Sequence, residues 1–197
     1  MQVVIIHGGE YAVPYDAYVE LLRTKEVSLD RLRPRTDWKA TLTSELGPMF
    51  DILTPRMPLA SNAPYDLWEL WFSRCAELFD DAVVLVGHSL GGIFLAKYLA
   101  THTVPFKVSS LHLVAAPCRT DEEIPDAWRL PQDLSCIEKQ TDTIHIYHST
   151  DDPIVHPDNA QEYKKSLPSA VLHTFSDRGH FLTDSFPELI DNIVHNE

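Results

Sequence analysis

Cysteine is scarce in this chain: Cys75, Cys118 and Cys136 are the three among 197 residues. An odd count without CxxC spacing argues against a disulfide framework and against a zinc knuckle, so reduced and mostly buried thiols are expected. Positive charge is also short, with 16 Lys and Arg against 29 Asp and Glu and a formal net charge of -13. Such an excess opposes phosphate backbones and anionic membrane surfaces, so nucleic acid is not an expected partner; solubility is the ordinary reading. Long hydrophobic runs are missing. No stretch approaches a membrane span, and the opening MQVVIIHGGE has no cationic leader and too short an apolar stretch for a signal peptide. A cytoplasmic location is expected. Low-complexity tracts and repeat periods are absent as well, which excludes disordered and solenoid architectures.

What is present is an ordinary globular composition, 44% hydrophobic and 23% charged, in a length that suits one domain over 1–197. Short apolar runs alternate with segments of helical periodicity. The runs predict strands over 3–7, 50–54, 82–86, 108–114, 143–148 and 171–175. Helices are predicted at 15–25, 37–46, 66–79, 90–101, 157–166 and 184–194. This rhythm implies a three-layer α/β/α sandwich around a mostly parallel sheet of about six strands. Ligands in such sheets bind beyond the carboxyl ends of the strands, so chemistry is sought in the loops there.

One of those loops is GHSLGG at 87–92, between the strand AVVLV and the helix-forming IFLAKYLA. A serine on a tight strand-to-helix turn is held in a strained backbone conformation that exposes its hydroxyl, and only residues without a bulky Cβ fit beside it. Gly87 and Gly91 occupy the flanking positions, and Ser89 is the candidate nucleophile. The free N–H groups and dipole of the following helix favour developing negative charge, which makes the Leu90 N–H a candidate oxyanion donor. The competing reading is a glycine-rich turn with serine as helix cap.

A serine hydroxyl is a poor nucleophile until a base takes its proton and a third group orients that base. The strand TIHIYH runs into STDDPIVH, which offers Asp151 and Asp152. The last strand, VLHTF, runs into SDRGHFLTD, which offers His180 just before the final helix. Serine, acid and histidine thus stand in the required chain order on successive strand-end loops. His148 and His156 flank the two aspartates without any characteristic metal-ligand spacing, so a metal site there is disfavoured.

HGG at 7–9, GHSLGG at 87–92, DDPIV at 151–155 and GH at 179–180 together resemble the α/β-hydrolase superfamily, nearly end to end. The short length, the aromatic DLWELWF, and STDDP followed by DRGHF are most similar to small serine hydrolases related to retinoblastoma-binding protein 9. The resemblance implies a serine hydrolase, esterase-like, that cleaves a carboxylic ester or related small-molecule or peptide acyl substrate through Ser89, His180 and an aspartate. It favours Asp152, with Asp151 as the alternative, implies no metal or organic cofactor, and gives the Gly9 N–H the second oxyanion role; a plain Gly-Gly turn is the other reading of Gly8 and Gly9. Larger members carry a lid after the strand matching 108–114, and the short distance to the next strand leaves no room for a large one. The connecting stretch 117–136 brings Trp128 and Leu130 either over the site or into packing against the sheet. One departure, at 27–47, adds a helix that either shapes the site or packs on the sheet. Two other functions fit the same residues: an interaction protein on a hydrolase fold, and acyl transfer to an acceptor other than water.

Overall fold

The computed structural model describes residues 1–33, 37–119 and 124–195. Its strands are β1 (Gln2–Ile6), β2 (Asp51–Leu53), β3 (Ala82–His88), β4 (Lys107–Val114), β5 (Thr141–Ser149) and β6 (Val171–Phe175). They form one six-stranded sheet in the order β2-β1-β3-β4-β5-β6, with every neighbouring pair parallel. Helices are α1 (Tyr15–Thr24), α2 (Leu29–Leu32), α3 (Trp38–Leu46), α4 (Tyr65–Ala76), α5 (Leu90–Thr101), α6 (Ser135–Gln140), α7 (Asp158–Ser166) and α8 (Pro187–Val194).

Side chains alternate across the strands and split the core into two layers. Val4, Ile6, Val83 and Leu85 face one cluster, with Trp68 and Phe72 of α4, Phe94 of α5 and Tyr163 of α7. Val3, Ile5, Val84 and Val86 face the other, with Trp38 and Leu42 of α3 and Leu189 and Ile193 of α8. This is the three-layer sandwich that the alternating runs predict. The chain leaves β1 toward β2 at one edge and returns to β3 on the other side of β1. The carboxyl ends of β1 and β3 therefore flank the switch point where a crevice opens.

Differences from the predicted elements have local causes. α4 stops at Ala76, short of 79, because the chain tightens into three-residue turns, with Leu78 N–H on Cys75 O at 3.0 Å and Phe79 N–H on Ala76 O at 3.3 Å. The second turn carries Phe79 back against Phe72 and Phe106. α8 begins at Pro187 rather than 184, since proline presets helical φ while holding Phe186 out of the helix at φ -143°. The short helices α2 and α6 have too few turns to leave a periodic signal. α1 forms where expected, yet none of its residues is buried. Positions 34–36 of the 27–47 departure and 120–123 of the connecting stretch lie outside the described residues.

Candidate active site

Ser89 lies between β3 and α5 with φ 55° and ψ -122°, backbone that a non-glycine residue rarely adopts. Its hydroxyl makes no capping bond to the helix, which argues against the helix-cap reading. The residue is fixed through its backbone, with its N–H on Val114 O at 2.8 Å and its carbonyl accepting from Gly92 N–H at 2.9 Å. Close approach explains the flanking glycines. A Cβ on Gly87 would stand 2.5 Å from Gly91 O, and one on Gly91 would run into the carbonyls of Ile6 and His7 at the end of β1. The turn is thus packed backbone to backbone against its own helix and the neighbouring strand.

The two aspartates diverge. Asp152 turns inward: its side chain is wholly buried, and Oδ2 accepts from Nδ1 of His180 at 2.8 Å. Its Oδ1 accepts from the N–H groups of Ile154 at 2.8 Å and Val155 at 3.0 Å. Burial alone would raise this carboxyl, but the bond from His180 and the two amides outweigh it and hold it below the ordinary carboxylate value. Asp151 faces outward and acts on the backbone, with Oδ1 accepting from Gly179 N–H at 3.0 Å and from the Ser149 hydroxyl at 2.5 Å.

His180 is nearly buried and shares one cleft with Ser89. That cleft, about 420 Å³, is lined by Gly8, Gly9, Glu10, Asp37, Lys39, His88, Ser89, Ile154, His180 and Leu182. A second hollow of about 270 Å³ meets it at Gly9, Glu10, Ser89 and Ile154, and continues along Tyr11, Leu90, Pro117 and Val155. Ser89 therefore sits where two compartments join, and only the larger one contains His180.

His7 organises the glycine loop beside the serine. Its Nε2 accepts from Met57 N–H at 3.0 Å, so the ring proton is on Nδ1, which donates to Gly8 O at 2.7 Å. In a trans peptide the C=O and N–H point in opposite directions, so holding Gly8 O fixes the direction of the Gly9 N–H. Tight packing reinforces this, since a Cβ on Gly9 would lie 2.5 Å from Ala60 O and 3.0 Å from Leu90 Cδ2.

The 27–47 departure does both things its sequence left open. Trp38, Leu42 and Leu46 are buried in the core, while Asp37 and Lys39 line the cleft. Lys39 pairs with Asp37 at 2.5 Å and lies 4.7 Å from the centre of the Trp38 ring. Desolvation lowers its ammonium below the ordinary lysine value against the opposing pull of Asp37. Trp128 and Leu130 are buried in the core rather than over the site; the Trp128 indole donates to Ala63 O at 3.2 Å, and its ring packs on Tyr65 and Trp68 of α4 and Phe94 of α5 instead of lying against the sheet.

His148 and His156 do not converge. The first donates from Nε2 to Val155 O at 2.9 Å, and the second is exposed with Nδ1 accepting from Asp158 N–H at 3.3 Å. Among the described residues no group of three or more His, Cys, Asp or Glu is arranged to hold a metal ion. Nor is any helix among them long and apolar enough to cross a membrane.

Comparison with known proteins bears on the family and the fold. The chain is 32% identical over 147 residues to serine hydrolase RBBP9 of Rattus norvegicus, spanning 73% of this chain and 76% of that protein. Its fold matches the ydeN gene product from B. subtilis with TM-score 0.73 at 19% identity, over 99% of this chain and 97% of that one. The methylesterase protein MES16 from Arabidopsis matches with TM-score 0.60 at 14% identity, over 99% of this chain and 98% of that one. These two likenesses establish the α/β-hydrolase fold alone. The family described as serine hydrolase matches residues 33–190, and the chain belongs to that family.

Proposed function

We propose that this serine hydrolase cleaves a carboxylic ester, or a related acyl substrate, with Ser89 as nucleophile, His180 as base and Asp152 as the acid that orients it. One observation carries the reading: a wholly buried carboxylate bonds to Nδ1 of a histidine that lines the same cleft as a strained, uncapped serine. The bond to Asp152 keeps the proton on Nδ1, which leaves Nε2 with a lone pair to accept the Ser89 proton. Oγ then bonds to the acyl carbon, and the carbonyl oxygen, now negative, is held by the Gly9 and Leu90 N–H groups. Collapse breaks the bond to the leaving oxygen, which takes the proton from His180. Water repeats the cycle on the acyl-enzyme and releases the acid.

Proton delivery also orients the substrate. The leaving group must lie on the His180 side, in the compartment with Asp37, Lys39 and Leu182, so the acyl chain extends the other way, along Tyr11, Pro117 and Val155. Turnover of p-nitrophenyl acetate by the wild type and its loss in Ser89→Ala test the mechanism; full activity in the variant would sink it. Val155→Phe, which narrows the acyl side, should cut kcat/KM for the butyrate ester more than for the acetate. Equal losses would contradict the orientation.

A further inference from the structure

The loop that carries His180 has unusual backbone on both sides of the histidine, with Gly179 at φ 50° and Phe181 at φ 53°. Glycine accepts this region freely, whereas phenylalanine does not, so surrounding contacts must hold Phe181 there. The loop's two consecutive carbonyls are each engaged by a ring N–H from elsewhere in the chain. His88, the last residue of β3, donates from Nε2 to His180 O at 2.9 Å. Trp38, the first residue of α3, donates from Nε1 to Phe181 O at 3.0 Å, and its own N–H reaches Thr183 O at 2.9 Å.

Both donors are fixed in the buried layer. Trp38 is fully buried and meets His88 edge-on at 6.1 Å and Phe186 at 5.6 Å. His88 is 4% exposed, and a carbonyl can only accept, so the ring proton is on Nε2. Burial first, then the nearby Lys39 ammonium and His180, push this imidazole down to about 3, which keeps it neutral with a single ring proton to donate. The Asp152 carboxylate grips the ring of His180 but has no hold on the main chain behind it. Asp151 and the Ser149 hydroxyl hold the amides of Gly179 and Arg178 upstream of the histidine, whereas the two ring N–H groups hold the carbonyls of His180 and Phe181, and without them the strained turn shifts at the histidine and carries the imidazole with it.

We propose that His88 and Trp38 are positioning residues of the hydrolase, a two-donor clasp on the carbonyls of His180 and Phe181 that sets the imidazole against Ser89. This inference rests on the proposed roles of Ser89 and His180. It also gives the 27–47 departure a task in the chemistry, because α3 supplies one of the two donors. His88 reaches the cleft wall but spends its one ring proton on the His180 carbonyl, and Trp38 lies behind the cleft; both act through the loop.

The test separates positioning from mere packing. His88→Gln keeps an amide donor near the place of Nε2, whereas His88→Phe keeps a ring and loses the donor; Trp38→Phe likewise removes only the indole N–H and part of the ring. A displacement of about 1 Å at a reacting group costs on the order of 100-fold in rate. His88→Phe should therefore lower kcat for p-nitrophenyl acetate by about that factor with KM little changed, Trp38→Phe should lower it by roughly tenfold, and His88→Gln should stay within about threefold of wild type. Circular dichroism at the assay temperature establishes that each variant is folded. Should His88→Phe fail to fold, Trp38→Phe carries the test alone. A folded donor-less variant with wild-type kcat, or His88→Gln as impaired as His88→Phe, overturns the clasp. Hydrogen exchange over 178–183 gives a readout independent of catalysis, with faster exchange expected in both donor-less variants. An inert wild type would sink the proposed function and leave the clasp to be decided by that exchange, where unchanged protection overturns it.

Discussion

Adjacent aspartates with opposite orientations divide two tasks at the turn after β5. Asp152 is wholly buried on the His180 ring, while Asp151 is exposed and ties down the Gly179 amide. Asp152→Asn should therefore lower kcat by roughly 1,000- to 10,000-fold, because an amide can donate to Nδ1 and favour the wrong tautomer. Asp151→Asn keeps an oxygen for Gly179 and should cost about tenfold or less, of the order of one lost charge-assisted hydrogen bond. Steady-state kinetics on the two variants checks the order, and the reverse order would reassign the acid. The chain order of serine, acid and histidine was readable from the residues, whereas the choice of aspartate from residue type alone was not. Which of two neighbours turns inward depends on amides at Ile154 and Val155 and on a loop 28 residues away. His88 was missed for a similar reason. Its partner carbonyl is 92 positions distant, and inside GHSLGG it reads only as a neighbour of the nucleophile.

Strands and long helices were legible as apolar runs whose lengths and turn-forming ends mark their type: β6 and α5 have the bounds their apolar patterns predict. Boundaries set by tertiary contact were not, as at the end of α4, where Phe79 is recruited by Phe72 and Phe106. The union of β3, Ser89 and α5 leads to a prediction at this scale. Gly91→Ala would force a methyl group into the carbonyl of Ile6, which is strand backbone and cannot move aside. The variant should lose at least about 2 kcal/mol of stability, at the upper part of the usual range for overpacking. Urea denaturation measures it, and an unchanged midpoint would mean that β1 and α5 are not pressed together as described. Gly179→Ala makes a useful contrast, since no atom stands within 4 Å of the added Cβ and only the positive φ of 50° penalises it.

The molecule as a whole should be acid-sensitive. His112, His145 and His173 stack across β4, β5 and β6 with ring centres 4.9 and 5.3 Å apart, beside Tyr147 and under Asn192 of α8. Burial is the first cause that lowers all three, taking His145 to about 4 and His112 well below 6.5, with the neighbouring imidazoles adding to the shifts of His112 and His145. His88 behaves likewise. The folded state holds these rings neutral, so from about pH 6.5 downward the unfolded chain binds protons that the native chain refuses. Stability must then fall with pH until the folded values are reached. Asp152 adds a loss at still lower pH, as its carboxylate is held below the ordinary value in the folded state. Neutralising the acidic excess of a chain with net charge -13 works the other way, though salt near 0.15 M screens it. Calorimetry at that salt should show Tm dropping between pH 7 and 4. A flat profile would contradict the neutral histidine stack, which no reading of isolated strand residues would have brought together.

Every step of the proposed reaction begins at an activated Ser89, and intact-protein mass spectrometry after treatment with a fluorophosphonate reads that activation itself. One adduct is expected on the wild type, mapped to the peptide containing Ser89 and absent in Ser89→Ala. An unlabelled wild type, or an adduct that survives in Ser89→Ala, would contradict it.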